Sequence, residues 1–89
     1  MSLQILHNGL AETIINGMET MGNANPNVVY GGCRVIYFMA QSRTCRQLLL
    51  SKFSNLKGRI SLLFGIWAGT NKKVARWGKE CMNKLSLPC

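Results

Sequence analysis

The chain carries four cysteines, one histidine and three carboxylates, and these few residues bound the chemistry it can do. The carboxylates are Glu12, Glu19 and Glu80, and there is no aspartate. A Ser-His-Asp triad, an aspartate dyad and an EF-hand loop are excluded by that inventory. General acid–base catalysis needs well-placed titratable groups, and so few are present that a non-enzymatic role is expected. His7 reads as a surface or boundary side chain. Cys33, Cys45, Cys81 and Cys89 are separated by 11, 35 and 7 residues. No close pair of zinc-ligand type occurs among them, so no metal and no other cofactor is expected. Residues 1–8 show neither a basic n-region nor an apolar h-region, which makes reduced, buried thiols the expected state.

The other chemistry on offer is electrostatic. Lys and Arg number 11 against the three glutamates, a net charge of +8 in 89 residues. Residues 1–27 hold Glu12 and Glu19 and no Lys or Arg, so all eleven of these cations lie in the remaining two-thirds with Glu80 alone opposing. Such asymmetry points that part of the chain towards an anionic partner: lipid headgroups, nucleic-acid phosphates or an acidic protein. The densest block is Lys72, Lys73, Arg76, Lys79 and Lys84, expected to be the anion-binding residues. Trp67 precedes it and Trp77 lies within it, and tryptophan suits a headgroup boundary because its ring is apolar and its N–H polar. No phosphate-binding loop, zinc-finger spacing or RNP-type aromatic string is present.

Hydrophobic spacing then gives the elements that must position these residues. Leu3, Leu6, Leu10, Ile14, Met18 and Met21 recur at helical steps, predicting a soft first helix over 3–21, interrupted by Gly9 and Gly17. Residues 22–25 read as a loop, in which Gly22 closes the helix in a left-handed conformation. Asn25 followed by Pro26 reads as an N-cap and first helical position. A helical region is expected over 26–69, with Gly31-Gly32 marking a close helix approach or a kink. Within it Cys45, Leu49, Phe53 and Leu56 form one stripe, with Arg43, Arg46 and Lys57 away from it. Residues 60–69 are apolar on every side, too short for the roughly 20 residues of a membrane span. A basic amphipathic helix follows over 71–86, capped by Thr70 or Asn71, with Val74, Trp77, Cys81 and Leu85 on its apolar stripe. The expected fold is all-α: one small domain, a bundle or splayed arrangement of three to four helices.

Two segments resemble a known family. Lys72-Lys73-Val74-Ala75-Arg76-Trp77-Gly78-Lys79 is similar to the short basic-apolar block of the peroxin-eleven family of peroxisomal membrane-elongation proteins. Tyr30-Gly31-Gly32-Cys33-Arg34 is similar to that family's helix with a tyrosine followed by a basic residue. The resemblance covers residues 30–34 and 72–79 and implies membrane binding through 59–85, with Lys72, Lys73, Arg76 and Lys79 facing headgroups.

The expected function is thus that of a membrane-associated or membrane-complex accessory protein inside the cell. Ile60, Leu63, Phe64, Trp67 and Trp77 would enter an apolar environment while the cations meet phosphates. The alternatives are a structural subunit of a larger respiratory or ribosomal assembly, or a small basic nucleic-acid-binding protein. No small-molecule substrate is expected.

Overall fold

The computed structural model describes residues 9–87, which form five α-helices and no strand. They are α1 (Leu10–Met21), α2 (Pro26–Met39), α3 (Arg43–Lys52), α4 (Leu56–Trp67) and α5 (Lys72–Leu85). The class is all-α, with one helix more than expected. The expected segment 3–8 of the first helix, and His7 with it, lies outside the described residues.

The region 26–69 is three helices, not one continuous element. Two polar corners divide it. Ser42 caps α3, its hydroxyl accepting from the Cys45 N–H at 3.4 Å. Asn55 precedes α4 in a left-handed conformation, φ 51°. The other caps agree with the sequence: Asn25 accepts from the Asn27 N–H ahead of Pro26, and Asn71 from the Val74 N–H. These bonds satisfy donors that the first turn of a helix otherwise leaves open. Gly22 differs from expectation. Its φ of −66° is right-handed, and its N–H continues the helical bonding to the Met18 carbonyl.

α2 is the central element. It packs on α1, α4 and most extensively on α5, while α4 and α5 also pack on each other. The core is drawn from every helix: Ile15 and Met18 from α1, Val29, Cys33 and Ile36 from α2, Cys45 and Leu49 from α3, Ile60 from α4, Val74, Cys81 and Leu85 from α5. A Cα radius of gyration of 11.9 Å matches the ~12 Å of a closed domain of this length, so the helices form a bundle and do not splay. The inner face of α1 is Ala11, Ile15, Met18 and Gly22, rotated from the predicted stripe, so that Ile14 is half-buried and Met21 exposed. Small residues permit that rotation: Met18 lies against Gly32 of α2, the close approach expected at Gly31-Gly32, while Gly31 stays open.

Arg46 is also placed otherwise than expected. It is buried, and its Nη1 donates to the Ala40 carbonyl at 2.8 Å. Ala40 is the C-cap of α2. A guanidinium there meets the negative end of the helix dipole and an orphan carbonyl together.

Candidate anion-binding face

α5 turns Val74, Gly78, Cys81 and Leu85 into the core, so its cations are left on the outside. Lys72, Lys73, Arg76 and Lys79 are exposed and Lys84 is half-buried. The structure separates them into two groups. Lys73, Arg76 and Lys84 sit against aromatic rings on the side facing α2. Among the described residues, Lys72 and Lys79 have no ring contact.

The α2 partners are Tyr30, Arg34 and Tyr37, at steps of four and three residues along one helix face. Arg34 lies over two rings, 5.4 Å from the centroid of Tyr30 and 5.3 Å from that of Trp77. Its Nη1 donates to the Tyr30 hydroxyl at 3.1 Å. Lys73 Nζ is 5.7 Å from the Tyr30 ring, and the Arg76 guanidinium 5.9 Å from that of Trp77. Lys84 Nζ is 5.5 Å from the Tyr37 ring. Tyr37 in turn meets Trp77 edge to face, centroids 5.5 Å apart. The result is a strip of four cations and three rings along the α2–α5 seam. Between Lys73 and Lys84 it runs for roughly 16 Å at the rise of an α-helix.

The electrostatics of the strip are one-sided. Glu80, one turn from both Arg76 and Lys84, is the one carboxylate on α5, and α2 has none. Contacts of Tyr30 with Lys73, Arg34 with Trp77 and Tyr37 with Lys84 rise together in number, so α2 and α5 run parallel. Their N-termini therefore share one end of the seam. Neither has an acidic residue in its first turn to offset its positive dipole end. Cation–π contact holds the charges in place while leaving their N–H donors to the outside. Trp77 is crowded by two guanidiniums and an aromatic edge, so the strip offers charge more than free ring faces.

The expected apolar insertion residues lie elsewhere. Ile60 and Leu63 are core residues, 1% and 9% exposed, and neither reaches a surface. Phe64 packs its ring on Gly78 of α5. Trp67 is half-buried and its indole N–H donates to the Gly22 carbonyl at 2.5 Å, so its polar handle is used inside the fold. Trp77 alone of the five lies on the basic strip. The apolar side chains that α4 does expose are Leu62 and Ile66, 76% and 50% exposed. At 100° per residue they lie roughly 160° around the helix from Phe64, on the flank turned away from α5. The grease and the charge of residues 59–85 thus face different directions. The expected pairing of an inserted apolar side with wet cations on one surface is corrected accordingly.

Arg34 is the strip residue that charge density along the sequence did not single out, because it stands alone among apolar neighbours. Its i, i+4 spacing from Tyr30 was the available signal. Among the described residues no group of three His, Cys, Asp or Glu side chains converges as a metal site requires. Cys33, Cys45 and Cys81 are free and buried. Comparison with protein-family models, with curated proteins and with solved structures returns no match for the chain.

Proposed function

We propose that this chain is a non-enzymatic accessory protein that holds to an anionic membrane surface, on the inside of the cell, through the α2–α5 face. The observation that carries the reading is the strip itself: Arg34, Lys73, Arg76 and Lys84 ordered by Tyr30, Trp77 and Tyr37. Basic side chains near an anionic leaflet contribute about 1 kcal/mol each, and aromatic rings sit well at headgroup depth. A membrane suits this strip better than single-stranded nucleic acid, whose bases need open ring faces for stacking. The two segments that resemble the peroxin-eleven family, 30–34 and 72–79, meet along this seam, which supports the same reading. No helix among the described residues is long and apolar enough to cross a membrane, so attachment would be to the surface.

A second reading has its own observation. Leu62 and Ile66 form an exposed apolar ridge on the opposite flank of α4, which favours docking against another protein in a membrane complex or larger assembly. Co-sedimentation tests the first reading. At low salt the purified chain is expected to pellet with phosphatidylcholine vesicles containing phosphatidylserine and to stay in solution with phosphatidylcholine alone. Equal behaviour on both, or tighter binding to RNA whose affinity falls steeply with salt, would overturn it.

A further inference from the structure

Three of the strip's cations are not spaced evenly along it but gathered at its N-terminal end. Arg34 is the shared member: it touches both Tyr30 and Trp77, while Lys73 adjoins the first ring and Arg76 the second. Each of the three charges thus lies within 6 Å of one of two rings that Arg34 bridges, and Lys84 adjoins the third ring, Tyr37. Each ring contact, worth about 0.5–1 kcal/mol at an exposed site, offsets part of the repulsion between these like charges. The Tyr30 hydroxyl accepts from Arg34, so its own O–H is left to donate. The N-terminus of α5, whose first turn holds Lys73, adds positive potential beside it.

From this arrangement we infer that Arg34, Lys73 and Arg76 form a single phosphate site, with Tyr30 as a fourth donor, and that it takes a phosphate monoester in preference to a diester. The proposal rests on the membrane reading for its ligand's source, a lipid with a terminal phosphate. The chemistry favours the monoester on two counts. A terminal phosphate carries close to two negative charges near neutral pH and presents three free oxygens, one for each cation. A phosphodiester carries one charge and two free oxygens, leaving one cation without a partner. Arginine adds geometry, since its planar fork can address two oxygens of one phosphate at once.

The test compares phosphatidylcholine vesicles containing phosphatidic acid with others containing phosphatidylserine, adjusted to equal surface potential. Wild-type chain is expected to bind the phosphatidic acid vesicles about tenfold more tightly, the worth of one further charge-assisted contact. Arg34→Lys keeps the charge and removes the fork. It is expected to weaken binding to both vesicles and to bring their ratio close to one. Lys84→Ala should weaken both and leave the ratio as it was. In parallel, inorganic phosphate is titrated against the free chain while the Trp77 indole N–H is followed by NMR. It is expected to shift, with the Trp67 signal as internal reference. Equal binding to the two vesicle types would overturn the phosphate site and leave the membrane reading standing. A Trp77 shift with inorganic phosphate, but no binding to either vesicle, would do the reverse.

Discussion

A methyl group built on Gly78 would lie 2.6 Å from Phe64 Cβ, an atom that the α4 backbone holds in place. At Gly32 the obstructing atoms belong to the end of the Met18 side chain, a thioether that can swing aside. Replacing a mid-helix glycine by alanine gains about 1 kcal/mol of helix propensity. Gly78→Ala is nevertheless expected to destabilise by about 1–3 kcal/mol, because overpacking must part α4 from α5. Gly32→Ala is expected to lie well below that. Urea midpoints at unchanged m-value would measure both, and a stable Gly78→Ala would contradict the packing described. The thiols make a second prediction at this scale. Cys81 shares a hydrogen bond with Cys33 and both are fully buried; that bond first, and desolvation next, push the Cys81 thiol well above its ordinary value. A neutral buried thiol is a poor nucleophile. Labelling of Cys33 and Cys81 in native buffer should therefore proceed only at the rate of global opening. Fast labelling of either would mean that the α2–α5 seam breathes. Residues of this kind divide clearly in legibility. The cap Asn25 was readable, and Asn71 as one of two candidates with Thr70, because a cap is a local device, a side chain bonding its own backbone. Gly78 and Arg46 were not, since their partners, Phe64 and the Ala40 carbonyl, come from other elements.

The elements show the same division. The stripe Cys45, Leu49, Phe53 and Leu56 was legible and is wholly buried, yet the helix boundaries inside 26–69 were missed. No glycine or proline ends α2 or α3. α2 stops where Arg46 caps its last turn from α3, and α3 stops before the left-handed Asn55. Both are contacts or conformations that a hydrophobic period does not encode. Glu19 and Arg59 supply a further tie between elements, α1 to α4. Arg59 Nε donates to Glu19 Oε2 at 2.8 Å, and its Nη2 to the other carboxylate oxygen. That hydrogen bonding holds the Glu19 carboxyl below its ordinary value of 4.5. The stabilisation is therefore complete above about pH 5 and is lost as pH falls through the lowered folded value. Both side chains are about one-third exposed, so solvent screening keeps the contribution under about 1 kcal/mol. The stability difference between wild type and Arg59→Ala should be constant from pH 7 to 5 and shrink towards zero below pH 4. A difference that grew on acidification would show that the pair does not act this way.

For the whole molecule, the decisive fact is that the charge of α5 and the grease that α4 exposes point apart. The charge asymmetry along the chain was plain in the sequence, and so was the apolar character of residues 60–69. Which of those apolar residues face out was not, because it depends on Phe64 meeting Gly78 and on Trp67 bonding Gly22. Once α4 is fixed by those contacts, Leu62 and Ile66 look away from α5 and from the cation strip. A rigid bundle pressed against a flat surface can present one of these faces, not both. If the α2–α5 strip is the face that meets lipid, Leu62 and Ile66 remain in water while the chain is bound. The double variant Leu62→Gln/Ile66→Gln should then pellet with phosphatidylserine vesicles as well as wild type does. Lys73→Gln/Arg76→Gln removes two charges at about 1 kcal/mol each near the surface, an expected loss of roughly tenfold to thirtyfold in affinity. Raising the salt from 0.05 to 0.5 M shortens the screening length from about 14 to about 4 Å, and wild-type binding should fall with it. The reverse pattern, with binding lost in the glutamine ridge variant and kept in the charge variant and at high salt, would mean that the molecule lies on the membrane by its α4 flank. The cation strip would then face the aqueous side, free for an acidic partner.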